Sequence, residues 1–281
     1  MKYFKFIYLL IIATFIFPGI GKGERVLNVN KFYISNLGSD DNSCIDPNSP
    51  CLNISKTYSK ILSNYDFQGR PPTIFLADGV YNDFEFNMVE MPIGAHAVTI
   101  EGNCGGKAYG DLRDKVLIKG KPNKTIFWAE DGTTLIINCM KLIGSQSNGI
   151  ACRQHVIIDA DYLNFGELNL GLAANDFCII NVGGNNYISG NMKTFASSNY
   201  FSIIRFTGIN SIKEKVSIPY FYIAQTKSMI IQAAGSKWIN HDKATGISYL
   251  VHREGSIYAD GVTIPGNKPG ENINNSGQYY K

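Results

Sequence analysis

Short apolar strands that each end in a polar and then a small residue recur between Val98 and Ile264, and this ladder constrains the fold more than any other feature. The rungs read Val98-Thr99-Ile100-Glu101-Gly102, Val116-Leu117-Ile118-Lys119-Gly120, Leu135-Ile136-Ile137-Asn138-Cys139, Val156-Ile157-Ile158-Asp159-Ala160 and Tyr187-Ile188-Ser189-Gly190. Two weaker rungs follow, Val216-Ser217-Ile218-Pro219-Tyr220 and Ser256-Ile257-Tyr258-Ala259-Asp260. The aliphatic residue before each polar one marks a register of Ile100, Ile118, Ile137, Ile158, Ile188 and Ile218, spaced by 18, 19, 21, 30 and 30 residues. Side chains alternate across a strand, so the marked isoleucines point inward and the polar residues outward. The outward column is then Glu101, Lys119, Asn138, Asp159 and Ser189, and the inward column of small residues is Gly102, Gly120, Cys139, Ala160 and Gly190, ended by Tyr220.

A repeat of this length without helical periodicity predicts an all-β chain wound as a parallel β-solenoid. An antiparallel sandwich also has short, evenly spaced strands, but it does not call for columns in the same register. Roughly eight coils at the interstrand spacing give a rod on the order of 40 Å long.

The N-terminal residues have a different job. Lys2 and Lys5 precede an apolar run from Phe6 to Phe17, followed by Pro18 and by Gly19, Gly21 and Gly23, the layout of a secretory signal peptide over residues 1–23. The run is too short to span a bilayer of about 30 Å, so the mature chain is expected to be exported and not membrane-spanning: periplasmic, secreted or on the cell surface. Export makes disulfides admissible for the six cysteines. Cys44 and Cys51 bracket a Pro-rich loop and are the best pair; Cys139 reads as a buried small hydrophobe, and Cys104, Cys152 and Cys178 have no assigned partners.

Residues 24–72 carry a strand at Lys31–Ser35, a turn-rich loop and an amphipathic helix on Ile54, Tyr58, Ile61 and Leu62 with Asn53 as N-cap. Residues 73–281 hold the solenoid and its tail, entered through Thr73-Ile74-Phe75-Leu76. A solenoid end exposes apolar interior and unpaired backbone, which the helix is placed to cap.

The order Tyr33-Ile34-Ser35, Gly38-Ser39-Asp40, Pro50 with Ile54 and a short helix, then Ile74-Phe75-Leu76-Ala77-Asp78-Gly79-Val80-Tyr81 resembles the opening of right-handed parallel β-helix proteins of the pectate-lyase-like superfamily. Within that group it looks most like the tail-spike-like proteins of phages and prophages, and Gly255-Ser256-Ile257-Tyr258 with Pro265-Gly266 and Gly277-Gln278-Tyr279 looks like the ending of such chains. The resemblance implies a right-handed coil and either a polysaccharide lyase or hydrolase or a non-catalytic glycan-binding rod, as monomer or lateral homotrimer. Such an opening is shared by enzymes and inert adhesins, so activity must be argued from a site.

A lyase would use calcium and a basic residue, and Arg205, mid-strand among apolar neighbours, is the candidate base. Glu101 and Asp159, read as three rungs apart, are about 14 Å from one another and too far to share an ion. A hydrolase needs two carboxyls, and Asp159 with Asp161, two residues apart on one strand face, is the only sequence-local pair of suitable spacing, though Asp161 also suits a turn. His96, His155, His241 and His252 have no nucleophile or acidic partner at a motif spacing and read as solvated. No spacing suggests a metal, and no cofactor is expected unless a lyase holds calcium. With 16 Tyr and 16 Phe, aromatics are abundant, and Tyr220, Tyr222 and Trp238 are candidates for a flat sugar-stacking platform, or else fill wider C-terminal coils. A net charge of +3 without a basic cluster argues against nucleic acid. The leading expectation is a non-catalytic exported rod that binds polysaccharide, a cell-surface glycan or another surface partner along its lateral face.

Overall fold

The computed structural model describes residues 25, 28–105, 112–273 and 276–281. The expected signal peptide, residues 1–23, lies outside them. What is described is an all-β parallel solenoid of about eight turns with one α-helix. One sheet has ten strands in coil order: Lys31–Ile34, Thr73–Leu76, Val98–Glu101, Thr134–Asn138, Ile157–Asp161, Ile179–Gly183, Ile203–Phe206, Met229–Gln232, Ser256–Tyr258 and Gln278–Tyr280. Every neighbouring pair in it is parallel. The second sheet contains the remaining strands, several of them long, such as Lys141–Cys152, Asn164–Ala174 and Val216–Gln225, which carry the chain around the far side of each coil.

The marked isoleucines are all inside, none more than 1% exposed. They do not form one column. In the first sheet the inward column is Val98, Leu135, Ile158, Ile180, Ile204, Ile230, Ile257 and Tyr279, so after a first step of 37 residues the repeat is 22 to 27. Ile100 and Ile137 are partners, but Ile137 continues into Ala160, a two-residue slip from the expected Ile158. Ile118, Ile188 and Ile218 belong to the second sheet. The mistake has a plain cause: strands from different sides of one coil share the same in-out pattern, and pattern does not say which side a strand lies on. The outward column is corrected with it: Glu101, Asn138 and Asp161 are neighbours, Asp159 lies between Ile136 and Asn181, and Lys119 and Ser189 are on the other sheet.

The N-terminal expectations hold closely. Strand Lys31–Ile34 pairs with Thr73–Leu76, and helix Ile54–Asn64 begins at Asn53, whose side chain accepts from the amides of Ser55 and Lys56. Its buried face, with Ile54, Tyr58 and Ile61, lies over the first coil, where Tyr58 meets Phe86 edge-on at 5.2 Å.

Six cysteines form three disulfides, Cys44–Cys51 as expected, with Cys104–Cys139 and Cys152–Cys178. Cys139 is buried, but as half of a bridge to Cys104 rather than as a lone hydrophobe. That bridge closes a span of 35 residues between successive coils of the first sheet. Replacing Cys104 and Cys139 together with alanine is expected to lower stability by about 2–4 kcal/mol, read from denaturant midpoints against the parent protein.

A candidate functional site on the second sheet

The three catalytic candidates share one surface. Asp159 and Asp161 flank buried Ala160 on the outward side of strand Ile157–Asp161, and Asp159 aligns through Asn181 with Arg205, two coils away and thus about 10 Å at the usual strand spacing. Each carboxylate already has a structural task. Asp159 Oδ1 accepts from Asn181 Nδ2 at 2.8 Å. Burial pushes the Asp161 carboxyl up, the amide of Gly183 pulls it down and the charge of Asp159 adds an upward push. A Cβ on Gly183 would come within 2.5 Å of Asp161 Oδ1, so that glycine leaves room for the carboxylate to close the corner. Arg205 lines a shallow depression of about 600 Å³ with Ile231, Gln232, Tyr258 and Asp260, whose lining includes neither Asp159 nor Asp161. Glu101 is two rungs from Asp161 rather than three from Asp159, and burial raises its carboxyl as well.

The aromatic platform is corrected outright. Tyr222 and Trp238 are buried, and the Tyr222 hydroxyl accepts from Trp238 Nε1 at 3.1 Å and from Gln232 Nε2. They pack with Phe195, Phe206 and Phe221 inside the C-terminal coils, where the longer repeat leaves room for rings. Tyr220 alone is half-buried and lines a shallow depression beside Pro219.

A second, more polar lateral feature lies on the other sheet. A groove of about 580 Å³ crosses five successive coils of the second sheet, lined from one end to the other by Asp114 and Leu117, by Lys141 and Ile143 to Ser145, by Gly166 and Glu167, by Ser189 to Asn191, and by Glu214 and Lys215. Four interstrand steps make it about 19 Å long. Its register is set by Phe165, Ile188 and Ile212, buried partners on successive coils. Two residues beyond each come Glu167, Gly190 and Glu214, so the two glutamates stand about 10 Å apart with a glycine between them. Gly190 cannot be otherwise: a Cβ there would lie 2.2 Å from the Glu167 backbone nitrogen. The near wall is tied down by Asn164, which donates to Asp114 Oδ1 at 2.8 Å and accepts from Ser189 Oγ at 2.7 Å. Three carboxylates, two lysines, serines and an asparagine thus offer acceptors and donors along one line, the donor and acceptor set that a hydroxyl-rich chain needs.

Sequence reading missed this groove because Glu167 and Glu214 are 47 residues apart, and only the coil register brings them together. The Gly166-Glu167 and Gly190-Asn191 steps were its only local trace. Among the described residues, no three His, Cys, Asp or Glu side chains gather to hold a metal, and no helix is long and apolar enough to cross a membrane. The chain matches no known protein family, no curated protein and no solved structure.

Proposed function

We propose that the protein is an exported, right-handed β-helix protein of pectate-lyase-like character that binds a glycan strand in the second-sheet groove without cleaving it. The observation that carries this reading is the groove itself: an open, polar channel running along the coil axis, long enough for several sugar units and dispersing its charges over five coils. Three disulfides fit an oxidising compartment. Among the described residues Glu167 and Glu214 are the groove's central acceptors for sugar hydroxyls. A second reading, an inverting hydrolase, rests on the same two glutamates, whose spacing is just beyond the roughly 6.5–9.5 Å used to seat a water between two carboxyls. Binding is the better supported because a general acid must be held protonated by burial, and both glutamates are exposed.

The test is titration calorimetry against neutral and acidic oligosaccharides, paired with assays for unsaturated products and new reducing ends. Glu167→Gln with Glu214→Gln is expected to weaken the best ligand about tenfold or more, since charge-assisted hydrogen bonds contribute about 1.5–3 kcal/mol each. New reducing ends lost in the same variant would establish the hydrolase instead, and affinity unchanged in the variant would move the site off the groove.

A further inference from the structure

The outward side of the first sheet carries a regular pattern of exposed side chains. Five successive corners preceding its strands each hold two consecutive residues with positive φ: Gln154 and His155, Asp176 and Phe177, Tyr200 and Phe201, Thr226 and Lys227, Arg253 and Glu254. Their amides are satisfied by the next coil, as in Phe177 N to Tyr200 O at 3.0 Å and Phe201 N to Thr226 O at 3.2 Å. Identical corners stack their second residues in a column. His155 lies on Phe177 at 5.1 Å with 2° between rings, and Phe177 on Phe201 at 5.2 Å with 3°. Rings so nearly parallel over three coils show that these corners repeat in one orientation.

Beside that aromatic column run two more. Ile157, Ile179 and Ile203 are partners on successive strands and point outward, and next to them stand Asp159, Asn181 and Arg205. Ile136 and Ile231 extend the third column at its two ends, and Thr134 and Met229 the second. Phe177 is 52% exposed, Phe201 50% and Ile157 41%. The columns together cover on the order of 500 Å² in projection, a mixed apolar and charged face.

The columns are palindromic in character about the Phe177, Ile179 and Asn181 rung. A half-turn about an axis lying along that strand, in the plane of the patch, reverses each column onto itself. His155 then meets Phe201 of the second copy, Ile157 meets Ile203, Ile136 meets Ile231 and Asp159 meets Arg205, with every pairing made twice. An isologous contact requires this kind of self-complementarity. The other two-fold arrangement, with rods parallel, sets each rung against itself and leaves Asp159 without an opposite charge. We propose that the protein forms an antiparallel two-fold dimer through this face, burying on the order of 1,000 Å² in all, the lower range for a specific interface. The glycan groove, on the other sheet, stays open in both copies.

Sedimentation equilibrium of the full protein is expected to give a reversible monomer–dimer system. Phe177→Asp keeps a residue tolerant of positive φ while setting the two copies' new carboxylates against one another across the axis, and it should raise the dissociation constant about tenfold or more. Asp159→Arg and Arg205→Asp should each weaken self-association, because each sets like charges opposite one another twice. Mixed together, the two variants should form a heterodimer, since arginines on one copy then face aspartates on the other at both places. Misfolding would not be rescued by mixing. A wild-type protein that stays monomeric up to its solubility limit, one that forms a trimer, or variants that do not associate on mixing would each overturn the proposal.

Discussion

Ile158→Asp is expected to abolish soluble expression. Ile158 is fully buried, with Leu135 directly below it and Ile180 directly above in the inward column of the first sheet. An aspartate there has no route to water, because the strand's outward positions are already taken by Ile157 and Asp159 on either side. A buried carboxylate without partners avoids the charge by taking up a proton, and even the neutral form loses its hydrogen bonds to water and the packing of the branched isoleucine side chain. The combined loss is about 5 kcal/mol or more, comparable to the whole stability of many domains. The neighbouring change Ile157→Asp, at a position 41% exposed, is expected to leave the folded protein intact. The soluble fraction after expression and the far-ultraviolet circular dichroism of the two variants make the comparison. Equal behaviour would mean that the in-out alternation of this strand is wrong.

That alternation is what the sequence carries well. The marked isoleucines, Cys139 and Ala160 are buried, because period-two hydrophobicity is a local property that neighbouring residues reveal directly, whereas Gly102, Gly120, Gly190 and Tyr220, read as inward at the strand ends, are only partly covered. The helix at Ile54–Asn64 and its Asn53 cap were legible for the same reason. Register was not. Ile118 and Ile137 look like consecutive rungs, yet they lie on different sheets of the same coil, and nothing within five residues of either says so. The slip between Ile137 and Ile158 is separate: both precede a polar residue on adjacent strands of one sheet, yet Ile158 pairs with Leu135, two residues earlier.

The same limit governs the sites. Asp159 and Asp161 were legible as a pair because they sit on one strand, and the structure keeps them on one side of it. Their engagement by Asn181 and Gly183 comes from the next coil, and it could be read only once the register was known. Glu167 and Glu214 depend wholly on the coil register. Tyr222 and Trp238 fail for a different reason: an aromatic run after a proline fits an exposed platform and a wide core equally well, and only the size of the coil interior decides between them.

Phe195→Ala tests that decision, and it is the second large effect expected. Phe195 is fully buried at the centre of the C-terminal cluster, 5.2 Å from Phe221, 5.4 Å from Phe165 and 5.6 Å from Trp238, centroid to centroid. Removing the ring leaves a hole walled by other rings, which are too large and too well fixed by their own contacts to collapse into it. The Tyr222 hydroxyl, tied to Trp238 and Gln232, fixes the wall further. Phenylalanine-to-alanine changes in such settings cost about 3–5 kcal/mol. For a chain of this size that corresponds to a fall in melting temperature on the order of 10 °C, measurable by calorimetry. Phe177→Ala, which removes an equally large but half-exposed ring, is expected to cost less than about 1.5 kcal/mol in the monomer, because the aromatic stack it breaks is open to water. If the two changes had equal effects on the monomer, the C-terminal rings would not be the interior of the coil, and the exposed-platform reading of Tyr222 and Trp238 would return.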